Sequence, residues 1–137
     1  MAGWDDVRVS ALALPQSSEQ SRRGQAFWRV KDKLFVWERP LRPKEAQALG
    51  ADAPEGAVLG ARVEHLGAKD ALIASEPGVF FTTPHFDGYA AVLVRLDEID
   101  PRELHELIVE AWLARAPKRL AAELIERGLP SWEVVSG

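Results

Sequence analysis

The chain has 137 residues, 47% of them hydrophobic and 28% charged, which suits one domain around a single core and is too short for two ordinary ones. It has no cysteine, so disulfides, thiolate metal sites and a cysteine nucleophile are excluded. Seventeen Lys and Arg against 21 Asp and Glu give a net charge of -4, the wrong sign for a protein that coats nucleic acid nonspecifically, so any such role needs a local basic patch.

The N-terminal MAGWDDVRVS carries acids where a signal peptide carries basic residues, and no apolar run reaches the roughly 20 residues of a membrane-spanning helix. The expectation is a cytoplasmic protein with no membrane partner. Asp5 is the expected N-cap of a first helix that places Val7, Ala11 and Leu14 on one face, sets Val9 to staple Trp4, and ends at Pro15. The polar PQSSEQSRRGQ reads as a loop. AFWRV and KLFVWER read as a hairpin around Lys31 and Asp32, with Asp32 suited to the positive φ of a two-residue turn.

Phe27 and Trp28 point to opposite sides of their strand, as do Val36 and Trp37, so both faces of the hairpin are partly apolar. One face packs on helices. The other either lies beneath RPLRPKEAQALGADAPEGA, a covering loop with at most a short helix near residues 44–49, or presents Trp28, Phe35 and Trp37 as an open aromatic surface. Burial beneath the segment is the simpler of the two.

AVLGARVEH gives a third strand and GAKDALIASEP a helix; GVFFTT and YAAVLVRL give two central strands on either side of PHFDGY. Asp100, Pro101 and Glu103 form a capping box. Leu104, Leu107, Ile108, Ala111 and Trp112 share one helical face, with Glu103, Glu106 and Glu110 as a solvated stripe opposite. Pro117 interrupts this helix, and the apolar pattern then restarts and runs to Gly128. The fold class is α+β, in the order α-β-β-β-α-β-β-α. An antiparallel sheet of about five strands is packed on one face by N- and C-terminal helices, in a single domain over residues 1–137 with a loop insertion at about 40–57.

The common phosphate, zinc and acyl-transfer motifs are absent, and no metal or cofactor is called for. Of the three histidines, His105 reads as a surface residue and His65 as a strand end. His85 stands beside Asp87 and Tyr89, with Thr82 and Thr83 upstream. It could pair with Asp87 while Tyr89 donates a proton, although Pro84, Asp87 and Gly88 also account for the loop as turn chemistry alone. In APKRL, Lys118 and Arg119 fall in the first turn of a helix opened by Pro117, where the helix dipole disfavours cations. Their partner is then an internal carboxylate such as Asp97 or Glu98, or a bound anion; a helix continuing through a kink removes the anomaly.

FFTTPHFDGYAAVLVRL followed by AWLARAPKRL resembles the MmcQ/YjbR family of small bacterial proteins, and the likeness extends through VRVSALALP and FWRVKDKLFVW. Asp32 and Ala90 depart from the glycine and proline common in that family. The resemblance implies a fold similar to CyaY and to secretion chaperones, and it carries a DNA-binding label. CyaY-like iron binding is not implied, because only Asp5 and Asp6 are available for an acidic ridge.

The expectation is therefore a noncatalytic binding protein whose ligand engages Thr83, His85, Tyr89, Lys118 and Arg119. DNA is the named ligand, with Arg22, Arg23, Lys31, Lys33, Arg39 and Arg42 as further candidate phosphate contacts. A protein or peptide binder, or a self-associating module, would instead use Trp28, Phe35 and Trp37 as anchors. A small enzyme with His85 as catalytic base ranks last.

Overall fold

The computed structural model describes residues 2–137. Helix α1 (Trp4–Leu12) starts from Gly3 and not the expected Asp5 as its N-cap, and the Gly3 N–H donates to the carboxylate of Asp6, the third helical residue, at 2.9 Å. Trp4 stacks on Trp28 with ring centroids 6.5 Å apart, and Val9 stays exposed, so the expected staple does not form.

Strands β1 (Ser17–Arg22), β2 (Gln25–Val30) and β3 (Lys33–Glu38) form a meander, followed by α2 (Pro43–Leu49), β4 (Val58–Arg62) and α3 (Leu66–Ser75). Strands β5 (Phe80–Phe81) and β6 (Ala91–Arg95) precede helices α4 (Pro101–Arg115), α5 (Lys118–Arg127) and α6 (Trp132–Ser136). The sheet has six strands in the order β1-β2-β3-β4-β6-β5, with every neighbouring pair antiparallel.

The sixth strand is β1, read from the sequence as loop. It lies at the sheet edge with all but its first residue exposed, so it needs no apolar alternation and displays none. Arg23 and Gly24, both at positive φ, make the two-residue turn into β2. At the next turn Lys31, and not Asp32, adopts positive φ.

A bulge in β3 resolves the conflicting hairpin pattern. Trp28 pairs with Val36 but Arg29 pairs with Leu34, leaving Phe35 as the extra residue, so Phe35 and Val36 are both fully buried. They join Trp28, Leu59, Ala61, Val92 and Val94 against α1 and α4, where Trp112 and Ile108 complete the core.

On the opposite face Val58, Phe81, Phe86, Ala91 and Leu93 bury beneath Trp37, Leu41 and Leu49, so residues 40–57 cover part of the sheet. Trp37 lies flat on Gly60, where an added Cβ would stand 2.3 Å from its ring. Trp28 and Phe35, at 1% and 0% exposure, are therefore core residues and form no open aromatic surface.

His105 is also a core residue, contrary to its surface reading. Its Nε2 lies 2.7 Å from the Pro130 carbonyl and its Nδ1 2.8 Å from Ser10 Oγ. The carbonyl can only accept, so Nε2 carries the proton and, in the neutral ring, Nδ1 accepts from the Ser10 hydroxyl. His65 is the N-cap of α3, its Nδ1 accepting the Ala68 N–H at 3.0 Å. Asp100 caps α4 through the Arg102 N–H, while Glu103 leaves the expected capping box to meet Glu76 at the end of α3.

Burial, and then the hydrogen bond and charge of Glu76, push the Glu103 carboxyl up to about 7. A carboxyl that holds its proton more tightly in the folded chain than in the unfolded one stabilises the fold while protonated. That contribution is full below the ordinary value of 4.5 and is lost as pH rises through about 7. The urea midpoint should accordingly fall between about pH 5 and about pH 8, and Glu103→Gln should flatten that fall. Equal pH slopes for the two proteins would exclude Glu103 as its source.

Candidate functional site

The sequence PHFDGY folds as a single 3-10 turn over Pro84–Phe86 followed by Gly88 at positive φ. What fixes it is Lys69 on α3, a residue the sequence reading passed over. Lys69 is 96% buried, and its Nζ donates to the carbonyls of Phe86 at 2.7 Å and Tyr89 at 3.0 Å. Desolvation lowers its pKa, opposed by the charges of Asp87 and Asp70.

The clamped loop turns Phe86 inward and leaves His85 and Tyr89 at the rim of a cavity of about 490 Å³. Leu34, Trp37, Phe86 and Tyr89 supply its apolar walls; Arg39, Arg62, Arg115 and His85 supply the polar ones. The aromatic rings are coupled, Phe86 lying 6.4 Å from Trp37 and 6.2 Å from Tyr89, with the His85 ring edge-on to Phe86 at 4.9 Å.

The three arginines arrive from three elements and differ in how their charges are met. Arg39, just beyond β3, forms a forked pair with Glu45 of α2 at 3.0 and 2.9 Å and lies over the Phe86 ring. Burial alone would raise the Glu45 carboxyl. Hydrogen bonds from Arg39, the Arg42 N–H and Thr83, together with the Arg39 charge, bring it down to about 2. Arg39 is thus neutralised at every ordinary pH.

Arg62 ends β4, donates to the Tyr89 hydroxyl at 2.9 Å, and sits 4.7 Å from the centre of that ring. Arg115 ends α4; burial, followed by repulsion from Arg62, lowers its pKa. Among the described residues neither Arg62 nor Arg115 has a carboxylate partner, and the buried Nε of each lacks a hydrogen bond.

A second concavity, of about 600 Å³, continues along the same sheet face and shares Leu34 and Trp37 with the first. Arg22, Arg23 and Arg29 line it with Phe27, and the Arg29 guanidinium lies over the Phe27 ring at 5.0 Å. The largest concavity, near Asp52 and Pro77, has no comparable convergence, because its arginine, Arg95, is taken up by the carbonyls of those two residues.

Of the residues expected to share a ligand, His85 and Tyr89 do line one cavity. Thr83 does not reach it: buried at 2% exposure, it donates to Glu45 from behind. Lys118 and Arg119 also lie outside the lining, exposed in the first turn of α5.

Ala116 is extended, as a residue before proline tends to be, so α4 ends and a new helix begins in place of a kink. Neither Asp97 nor Glu98 pairs with Lys118 or Arg119 among the described residues. His85 has no hydrogen bond to Asp87, so the expected pair is not formed. No cluster of three or more potential metal ligands occurs among the described residues. Arg62 and Arg115 were missed by the sequence reading, although Arg62 stood out as the charged end of an otherwise apolar central strand.

Residues 12–114 match the YjbR family model, and the chain belongs to the YjbR family. At 56% identity over 123 residues it is similar to Uncharacterized protein Rv2570 of Mycobacterium tuberculosis and Uncharacterized protein Mb2600 of Mycobacterium bovis, covering 88% of this chain and 93% of each relative. Among solved structures it is similar in fold to a DUF419-domain protein of Deinococcus radiodurans, with a TM-score of 0.61 and 20% identity over 82% of this chain and 78% of that one. No helix of the described residues is long and apolar enough to cross a membrane.

Replacing Lys69 by Met should leave the Phe86 and Tyr89 carbonyls with only the backbone N–H groups of Tyr89 and Ala91 and destabilise the protein by about 2 kcal/mol through the two lost charged hydrogen bonds. Amide exchange should accelerate first at residues 85–90. Unchanged exchange in this loop would show that Lys69 does not clamp it.

Proposed function

We propose that the arginine-bearing sheet face binds a single-stranded segment of nucleic acid, DNA included, without performing chemistry on it. The observation that carries this reading is the pair of adjoining concavities that both hold arginines and aromatic rings. Arg22, Arg23 and Arg29 lie with Phe27 in one; Arg39, Arg62 and Arg115 lie with Trp37 and Tyr89 in the other. Guanidinium groups track a phosphate backbone, while ring faces stack bases of any sequence. A duplex would hide those base faces, so a single strand uses the surface more fully.

Of the residues lining the two concavities only Glu38 is acidic, and its carboxylate accepts the Ala26 N–H at 3.0 Å. Glu106 and Glu110 are exposed on α4, which packs on the opposite face of the sheet. Lys118 and Arg119, three and four residues beyond Arg115, are exposed and have no ion pair among the described residues, which leaves them available to the same ligand.

The alternatives have less to rest on. Burial of Trp28 and Phe35 removes two of the three anchors expected for a protein or peptide partner. His85 lacks the hydrogen-bonded orienting group that a general base uses.

Fluorescence anisotropy with a labelled single strand and its duplex, each at two salt concentrations, tests the proposal. The single strand should bind more tightly than the duplex and weaken as salt rises. Arg29→Ala, Arg62→Ala and a Lys118→Ala, Arg119→Ala double variant should each weaken it roughly tenfold, the size of one lost stacking or phosphate contact. Binding that neither salt nor these variants alter would overturn the reading.

A further inference from the structure

We infer that the cavity beneath Arg62 and Arg115 takes a terminal phosphomonoester, so that this end of the groove receives a strand end or a free nucleotide in preference to an internal phosphodiester. The inference rests on the binding mode proposed above and adds which part of the ligand enters which concavity.

Charge balance makes the distinction. Arg39 is met by Glu45, 2.9 Å away, and contributes little net charge to the cavity. Arg62 and Arg115 are met by nothing among the described residues, so two positive charges face the same space. An internal phosphodiester brings one negative charge and leaves one guanidinium uncompensated. A phosphomonoester brings roughly one and a half to two at neutral pH and satisfies both.

Donor geometry agrees with the charge. Arg62 and Arg115 both line the cavity, and each carries a planar fork whose terminal nitrogens can grip two oxygens of one phosphate. A monoester exposes three such oxygens, a diester only two. Tyr89 orients the fork of Arg62 through its hydroxyl, and its half-exposed ring stands at the mouth, beside the position a terminal nucleoside would take. The cavity volume of about 490 Å³ falls within the roughly 300–1,000 Å³ of small-ligand sites. The neighbouring concavity, with exposed Arg22, Arg23 and Arg29 beside Glu38, carries dispersed charges and suits the diesters that follow.

The test compares one short single-stranded oligonucleotide carrying a 5′-phosphate, a 3′-phosphate or hydroxyls at both ends, beside adenosine monophosphate and adenosine, by calorimetry with the wild-type protein. At least one phosphorylated end should bind tenfold or more tighter than the hydroxyl strand. Whether the 5′ or the 3′ form, or the free nucleotide, gains most identifies the source of the phosphate. Arg115→Gln should bring the ratio of phosphorylated to hydroxyl affinity close to one, and Arg115→Lys, which keeps charge but loses the fork, should give an intermediate ratio. Arg29→Ala should lower both affinities and preserve the ratio.

Strand binding with no preference for any terminal phosphate would overturn the inference and leave the binding mode standing. Binding of adenosine monophosphate over adenosine with no strand affinity would sustain the pocket and overturn the strand. A wild-type protein that takes neither nucleotide nor strand overturns both.

Discussion

The two faces of the sheet are set by one extra residue in β3. With Phe35 bulged, Phe35 and Val36 both turn toward α1 and α4, and Trp37 is directed to the far face. There the ring finds room only because residue 60 is glycine. Without the bulge, strand alternation would send Phe35 to the far face and turn the smaller Leu34 into the core opposite Val30. The aromatic floor shared by the two concavities thus follows from a local change of pairing register.

Electrostatics divide the arginines of the far face into two kinds. Arg39 is held by a carboxylate that Thr83 and a backbone amide hold in turn, which makes it part of the scaffold as much as of the surface. Arg62 and Arg115 are positioned by strand and helix ends and oppose each other, so their arrangement is tolerated because α4 and β4 fix the backbone beneath them. Repulsion of this kind is what an anionic ligand would relieve, and a preformed pair spares it the entropy of gathering the two side chains.

Much of the fold could be read from the chain because its central strands and α4 carry periodic apolar patterns, and the tertiary structure agrees with them. The polar edge strand β1 could not be, since a strand paired on one side and bathed on both faces has no hydrophobic rhythm. His105 was misread for a related reason: on α4 it falls beside the acidic stripe, and its burial is imposed by α1 and the segment after α5, about which helical spacing says nothing. At the site, PHFDGY pointed to His85 and Tyr89, both of which line the cavity. Arg62 and Arg115 lie more than 20 residues from the loop in sequence and Lys69 lies 17 from Phe86, and only the fold brings them together.

The contact between His105 and Ser10 joins residues 95 apart in the sequence, and the Trp112 indole reaches the Pro15 carbonyl over 97. Contacts so distant carry a loop-closure cost that local contacts do not, because the two ends of a long segment must meet before they form. The meander of β1 to β3 is local and can form early; the seam between α1 and α4 closes late. Pro130 also bonds His105 and Glu133 pairs with Arg102, so the segment after α5 fastens α4 where it meets the first helix.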